Sequence, residues 1–342
     1  MGIILLIIFL ILFYKMQFVS DNEGYLSKYQ TTCINGFFVL LILIFHFEDY
    51  VNLGSILDKP FMLFDRFRGQ LIVVTFLFFS GYGIMESIKK KGLDYIKTIP
   101  KKRFLKVYIH LFISILIFLA AQYGLGTTFS KSTIFLTFLG WDSVGNCNWY
   151  IFAILFAYIF TYSSFKIFKN DTFKSLLSIT FLSFVYVFIM HTFKERWWYD
   201  TFLCYVVGMY YSYYKEDIER LLRDKGMYIL VLFIFINLFL LYFTLKKYTT
   251  INLLLMISFG ILITLLSKKI KIGNSILYWF GTHTFSMYML QRIPMLIFQR
   301  VDFIANNTLV YFGFVFVASC IMSWVFDKVL NKFDSIVFKE AH

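Results

Sequence analysis

The residues of this chain best suited to chemistry close a single apolar run, CINGFFVLLILIFHFEDY, Cys33 to Tyr50. His46 stands near its end, and Glu48 and Asp49 follow at once. Imidazole is the side chain whose ordinary titration falls nearest neutrality, which makes it the natural general base for a hydroxyl proton. On a helix Asp49 lies three residues beyond His46 and shares its face. A carboxylate there would orient the ring and raise its basicity, as the third member of a catalytic set does, and Glu48 is a second candidate for that task. The competing reading is a polar residue at a membrane interface, with the two acids opening a wet loop. Of the other histidines, His283 lies inside an apolar segment and is the second candidate. His110 and His191 fall near helix ends, and His342 is the last residue. Cys33, Cys147, Cys204 and Cys320 occur singly, so neither a disulfide framework nor a metal site is expected.

The elements that must hold these groups follow from composition. The 342 residues are 59% hydrophobic and only 15% charged, with a mean hydropathy of +0.71. Soluble chains carry about 25% charged residues. Runs of the roughly 20 apolar residues that a bilayer requires recur along the whole length. The fold class expected is therefore an all-α integral membrane protein. The run GIILLIIFLILFY has no basic residue before it and no small-residue cleavage site, so it reads as a retained helix within residues 1–20 rather than a cleaved signal. Ten core segments are expected after it, near 33–50, 71–88, 107–126, 147–165, 174–193, 200–214, 226–244, 250–266, 275–299 and 308–327.

The net charge of +13 fits topology better than nucleic acid, because Lys and Arg cluster in alternate loops. KKKGLDYIKTIPKKRFLK carries eight basic residues against one Asp and is expected to face the cytoplasm. The remaining loops alternate from it, which puts the start of the 33–50 helix and the C-terminus inside. His46 then sits on the order of 20 Å along its helix, in the outer half of the bilayer. Ionisable groups at such depths are costly and commonly face a cavity or the protein interior.

Four motifs, in order along about residues 28–330, resemble the membrane acyltransferase-3 family, which includes surface-polysaccharide O-acetyltransferases. INGFFVLLILIFH resembles the family's Arg, ten residues, His, with Asn35 in the Arg position. Eleven residues make about three turns, so Asn35 and His46 share a face. FLFFSGYGIMESI carries Ser80, Gly81 and Tyr82 where the family has Ser-Gly-Phe/Tyr. YIKTIPKKRFLKVY presents Arg103-x-x-Lys106 in place of Arg-x-x-Arg. ILYWFGTHTFSMYMLQRIP resembles Gly-x-x-Ser-Leu-x-x-Tyr-Leu-x-His through Gly281, Thr284, Phe285, Tyr288 and Met289, with Gln291 in the final His position. Trp149 and Tyr150 in NWYIFAIL resemble the family's Trp-Tyr/Phe-Leu helix start.

The resemblance implies an acyltransferase-3-like domain over 28–330, followed by a cytoplasmic tail, 331–342, in a multi-pass protein of the bacterial plasma membrane. It implies transfer of an acyl group, most often acetyl, from cytosolic acyl-CoA to a hydroxyl of a capsular or other surface glycan or a lipid-linked precursor. His46 would be the base, or would carry the acyl group as an acyl-imidazole, with Asp49 or Glu48 orienting the ring. Arg103, Lys106 and Lys102 would hold the CoA phosphates. Asn35, Ser80, Tyr82, Trp149, Tyr150, Tyr288 and Gln291 would line the cavity. Trp141, Trp197 and Trp198 are further candidates for stacking on sugar rings. No metal and no nucleic acid enter this reading. The alternative is a polysaccharide exporter of the same fold without catalysis, which Asn35 and Gln291 keep open. Loss of acetylation with normal export would favour the transferase.

Overall fold

Backbone polar groups in hydrocarbon must be satisfied within their own segment, so apolar runs of this length fold as helices. The computed structural model describes every residue except 69, 170, 223–224, 246–247 and 339–342. The described residues are almost wholly helical, and their only strands are β1 (Gln17–Phe18) and β2 (Ile270–Lys271), paired antiparallel.

Seven helical stretches among the described residues are long and apolar enough to cross a membrane. They do not map one to one onto the expected ten plus one, and each difference has a local cause. Helix α1 (Gly2–Phe13) has only 12 residues. At about 1.5 Å per residue it is roughly 18 Å long, short of a hydrocarbon core of about 30 Å. The Met1 amino group lies 2.7 Å from Asp58, and the extended residues after α1 lead to β1 at the far end of the bundle. Asn274 Nδ2 donates to the free carbonyls of Ile11 and Tyr14, at 2.9 and 3.0 Å, and so closes the end of α1. Ile4, Leu5 and Ile8 are buried, and Phe9 packs on Phe37 and Phe64, so α1 is part of the core packing.

Helix α2 (Lys28–Phe47) is the most enclosed span, buried along nearly its whole length. The short α3 (Lys59–Arg68) lies beyond its end. Helices α4 (Leu71–Ile99) and α5 (Lys106–Gly124) form one continuous helical run, although the basic segment between the two expected spans reads as a loop. It turns instead at Gly92, whose φ of +59° suits glycine, and through a π-helical turn, Pro100–Leu105, that follows from the missing N–H of Pro100. After α6 (Lys131–Phe138) come the spans α7 (Trp149–Phe168) and α8 (Thr172–Phe193). The expected span at 200–214 is the 11-residue α9 (Leu203–Tyr213), followed by α10 (Lys215–Leu221). The spans α11 (Lys225–Leu245) and α12 (Thr249–Lys269) form a hairpin, and no side chain of α11 is fully buried.

The expected span at 275–299 is broken into α13 (Ser275–Thr282), α14 (Thr284–Leu290) and α15 (Arg292–Phe298). The first break falls at His283, whose Nδ1 is 2.8 Å from the Trp279 carbonyl. The second falls at Gln291, where Pro294 has no N–H to give the Leu290 carbonyl. After the four-residue α16 (Asp302–Ala305), the last helix α17 (Thr308–Val337) runs through most of the stretch expected as a tail; of that tail, residues 339–342 lie outside the described residues.

Two glycine pairs set the spacing around the interior. A Cβ on Gly36 of α2 would meet the Leu277 carbonyl oxygen at 1.9 Å, and one on Gly281 of α13 would meet that of Thr32 at 1.9 Å. Gly81 of α4 and Gly208 of α9 approach each other's helices as closely, at Tyr205 and Phe78. Small residues let membrane helices come this near. Gly81 is thus a packing residue, while its neighbour Ser80 faces open space.

Candidate active site

Two cavities that share four lining residues run up from the basic end of the bundle. The lower is a vestibule of about 920 Å³ edged by Lys28, Lys89, Lys90, Lys91 and Arg103, with Tyr82 in its wall. The upper is a chamber of about 450 Å³ walled by Ile42, Val73, Phe76, Ile154, Tyr150 and Tyr288. Asn35, Ser80, Arg103 and Tyr158 border both and form the throat between them. Arg103 Nε donates to Tyr95 Oη at 3.0 Å, which fixes the side chain at this level. The Asn35 side-chain amide oxygen is buried at the throat with no hydrogen-bond partner. Helix geometry accounts for the lineup, since Asn35, Ile42 and His46 are separated by seven and four residues on one face of α2.

His46 stands one turn above Ile42, beyond the chamber and behind its wall residue Tyr288; neither His46 nor Gln291 borders either cavity. Its ring packs on Tyr288 with centroids 6.1 Å apart, and Tyr288 in turn meets Tyr150 at 5.8 Å. The two ring nitrogens each face a named group. Nδ1 is 2.8 Å from Gln291 Nε2, and Nε2 is 3.6 Å from Cys147 Sγ. In this orientation the amide N–H donates to Nδ1, which leaves the ring proton on Nε2. Turned over, the amide oxygen accepts from Nδ1–H and Nε2 becomes a free base. In the first orientation Gln291 Nε2 also lies 3.5 Å from the Tyr288 carbonyl and the Gln291 oxygen has no partner; turning over pairs that oxygen with the ring and gives up the longer contact.

The expected pairing of His46 with a carboxylate is corrected here. After Phe47 the helix tightens into a 3₁₀ turn, Glu48–Tyr50, and the α-helical register that would align Asp49 with His46 is lost. Asp49 turns outward onto Arg292, 2.7 Å away, and is 58% exposed. Glu48 faces Asp65 and Arg68 of α3. The orienting partner of His46 is Gln291, supplied by the break between α14 and α15.

The other expected residues divide by location. Asn35, Ser80, Tyr150 and Tyr288 line the upper chamber, and Tyr82 lines only the vestibule. Trp149 packs edge-on against Tyr150 without bordering either cavity. Of the three basic residues, Arg103 borders the vestibule, whereas Lys102 and Lys106 border a separate hollow of about 480 Å³ that Arg103 also touches. Lys106 is held by Asp334 of α17 at 2.6 Å, beside His110. His283, the second histidine candidate, meets Asp327 at 3.7 Å and stacks on Trp279 away from His46.

Sequence reasoning passed over Cys147, Arg292 and Tyr158. A signal for Cys147 was available. The helix after it runs back from the end of the bundle at which α2 finishes, so its first residues lie level with the last residues of α2. Cys147 also sits in GNCNWY, a polar loop at that level. Among the described residues no cluster of His, Cys, Asp and Glu has the makings of a metal site.

The basic-edged vestibule and the apolar chamber share four lining residues within a bundle of membrane-length helices. The sequence matches the acyltransferase domain model over residues 32–328, and the chain belongs to the acyltransferase-3 family. It is a membrane acyltransferase. No curated protein and no solved structure matches it significantly.

Proposed function

We propose that the protein is an O-acyltransferase, taking an acyl group, acetyl foremost, from cytosolic acyl-CoA and delivering it to a hydroxyl of a capsular or other surface polysaccharide or its lipid-linked precursor. The observation that carries this reading is the two-part cavity whose upper wall residue Tyr288 packs on His46. Acyl-CoA is a phosphate-rich head on a long amide-bearing arm with a thioester at the tip. The vestibule suits the head in width and charge. Arg103 supplies a planar fork for a phosphate, which Lys cannot copy. The unpaired Asn35 oxygen at the throat would accept an N–H from the arm. The apolar walls of the upper chamber suit the arm's end and the thioester.

One turn above Ile42, His46 Nε2 would receive the acceptor's hydroxyl proton as the oxygen attacks the thioester carbonyl, and would return it to the departing CoA thiolate. Gln291 would hold the ring in the tautomer this requires. The Tyr288 hydroxyl, buried and without a partner, would donate to the developing oxyanion. The acceptor approaches from the end of the bundle that carries Asp49, Arg292 and the 139–148 loop.

The reading is tested with purified protein in vesicles containing acceptor glycan, to which radiolabelled acetyl-CoA is added. Label should enter the glycan as an alkali-labile ester with the wild type and not with His46→Ala. Equal incorporation by the variant would remove His46 from the reaction. Absence of any glycan label with the wild type would sink the assigned donor and acceptor.

A further inference from the structure

The loop that carries Cys147 is built as a rigid support. Asn148 Nδ2 donates to the carbonyls of Asp142 at 2.6 Å and Thr137 at 3.2 Å. Asn146 Nδ2 donates to Asn148 Oδ1, and the Ser143 hydroxyl donates to the Asn146 carbonyl. Gln122 Nε2 ties the Val144 carbonyl to α5 at 2.9 Å. Gly145 holds φ at +104°, and a Cβ there would come within 2.7 Å of that same amide. The polar groups of this loop are spent on holding one conformation. Cys147 is left half-buried with its sulfur 3.6 Å from His46 Nε2.

A thiol on one ring nitrogen and an amide on the other form a set, Cys147–His46–Gln291. Cys-His-amide is one of the arrangements in which a histidine activates a nucleophile and a third group holds the ring. A second, independent observation points to a ligand here. The Tyr288 hydroxyl is buried without a partner, on a residue that packs on His46. Tyr288 also lies within electrostatic range of the Cys147 sulfur and borders the upper chamber. Burial pushes the Cys147 thiol up against the pull of Arg292, which makes a neighbouring base useful for forming the thiolate.

We propose that Cys147 is a catalytic nucleophile that carries the acyl group as a thioester between donor and acceptor. The inference rests on the acyl-CoA reading above and adds a covalent step to it. In the first half-reaction His46 Nε2 takes the Cys147 proton and the sulfur attacks the donor carbonyl. The carbon–sulfur bond to CoA breaks, and the CoA thiolate takes the proton back from His46. In the second half-reaction His46 takes the acceptor's hydroxyl proton, the oxygen attacks the Cys147 thioester, and the proton returns to the Cys147 sulfur. Thioester exchange is close to isoenergetic, and ester formation then runs downhill. The device suits the geometry, because donor and acceptor arrive from opposite ends of the bundle. A relay lets CoA withdraw before the acceptor hydroxyl takes its place.

The test is trapping with donor alone. Wild-type protein in detergent, mixed with radiolabelled acetyl-CoA and quenched in acid, should carry up to one label per chain. The label should be released by neutral hydroxylamine and map to the peptide containing Cys147. Cys147→Ala should take no label and acylate glycan at least 100-fold more slowly, while Cys33→Ala and Cys204→Ala label normally. Glycan acylation by Cys147→Ala within twofold of wild type overturns the relay and leaves the acyltransferase reading standing. So does a label on His46, or no label on a wild type that turns over. Should Cys147→Ala not reach the membrane, the wild-type trapping result decides alone. Loss of glycan acylation in the wild type, with the Cys147 thioester still formed, would keep the relay and overturn the acceptor.

Discussion

His46 has its two ring nitrogens committed to side chains from distant parts of the chain, Gln291 on one side and Cys147 on the other. Two predictions belong to this scale. Replacing His46 by Ala should lower acyl transfer by about 10²–10⁴-fold, the usual contribution of a positioned base, with KM for the donor little changed. Replacing Gln291 by Leu should lower kcat by up to about 100-fold through loss of ring orientation, whereas Gln291→Asn should retain more of it. A Gln291→Leu variant with full kcat would show that the amide does not hold the ring. Asp49→Asn, by contrast, should leave kcat nearly unchanged, because Asp49 is bound to Arg292 at a partly exposed position. Exposed ion pairs of this kind contribute roughly 0–1 kcal/mol to stability.

At the scale of elements, the chamber depends on two helices lying unusually close and on one helix being broken. Gly281→Ala would drive a methyl into the Thr32 carbonyl and spread α13 from α2. The expected cost is about 1–3 kcal/mol, read as a lower melting temperature in detergent together with reduced transfer. Unchanged melting would show that the two helices can separate freely. A pH effect belongs to the turn before α9. Burial raises the Asp200 carboxyl to about 7, against the partial pull of Arg196 at 3.6 Å. The folded state therefore binds a proton that the unfolded chain releases between about pH 4 and 7. This contribution to stability is fully present below that window and is lost as pH rises through it. Asp200→Asn should flatten the melting temperature over this range, and an unaltered slope would assign the dependence to other groups.

For the molecule as a whole, the lower cavity is edged by the basic residues Lys28, Lys89, Lys90, Lys91 and Arg103. Arg103→Ala should raise KM for acyl-CoA about tenfold, ~1.5 kcal/mol for a lost charged hydrogen bond, and Arg103→Lys should restore only part of it. Much of this layout was legible in the sequence. Hydropathy marked the long apolar helices but not the short α3, α6, α10 and α16, and three turns between Asn35 and His46 put both on one face of α2. The set around His46 was harder to read. Asp49 looked like its partner because a regular helix would align them, and the 3₁₀ turn after Phe47 removed that alignment. Gln291 and Cys147 reach His46 across 245 and 101 residues, through a helix break and a loop whose positions only packing decides. The most direct test of the central claim is an NMR spectrum of surface glycan from cells carrying either the wild type or His46→Ala at equal membrane levels. Acyl signals on the glycan should be present with the wild type and absent with the variant, at unchanged chain length and export; equal acyl signals from both, or loss of the glycan from the surface, would contradict the account.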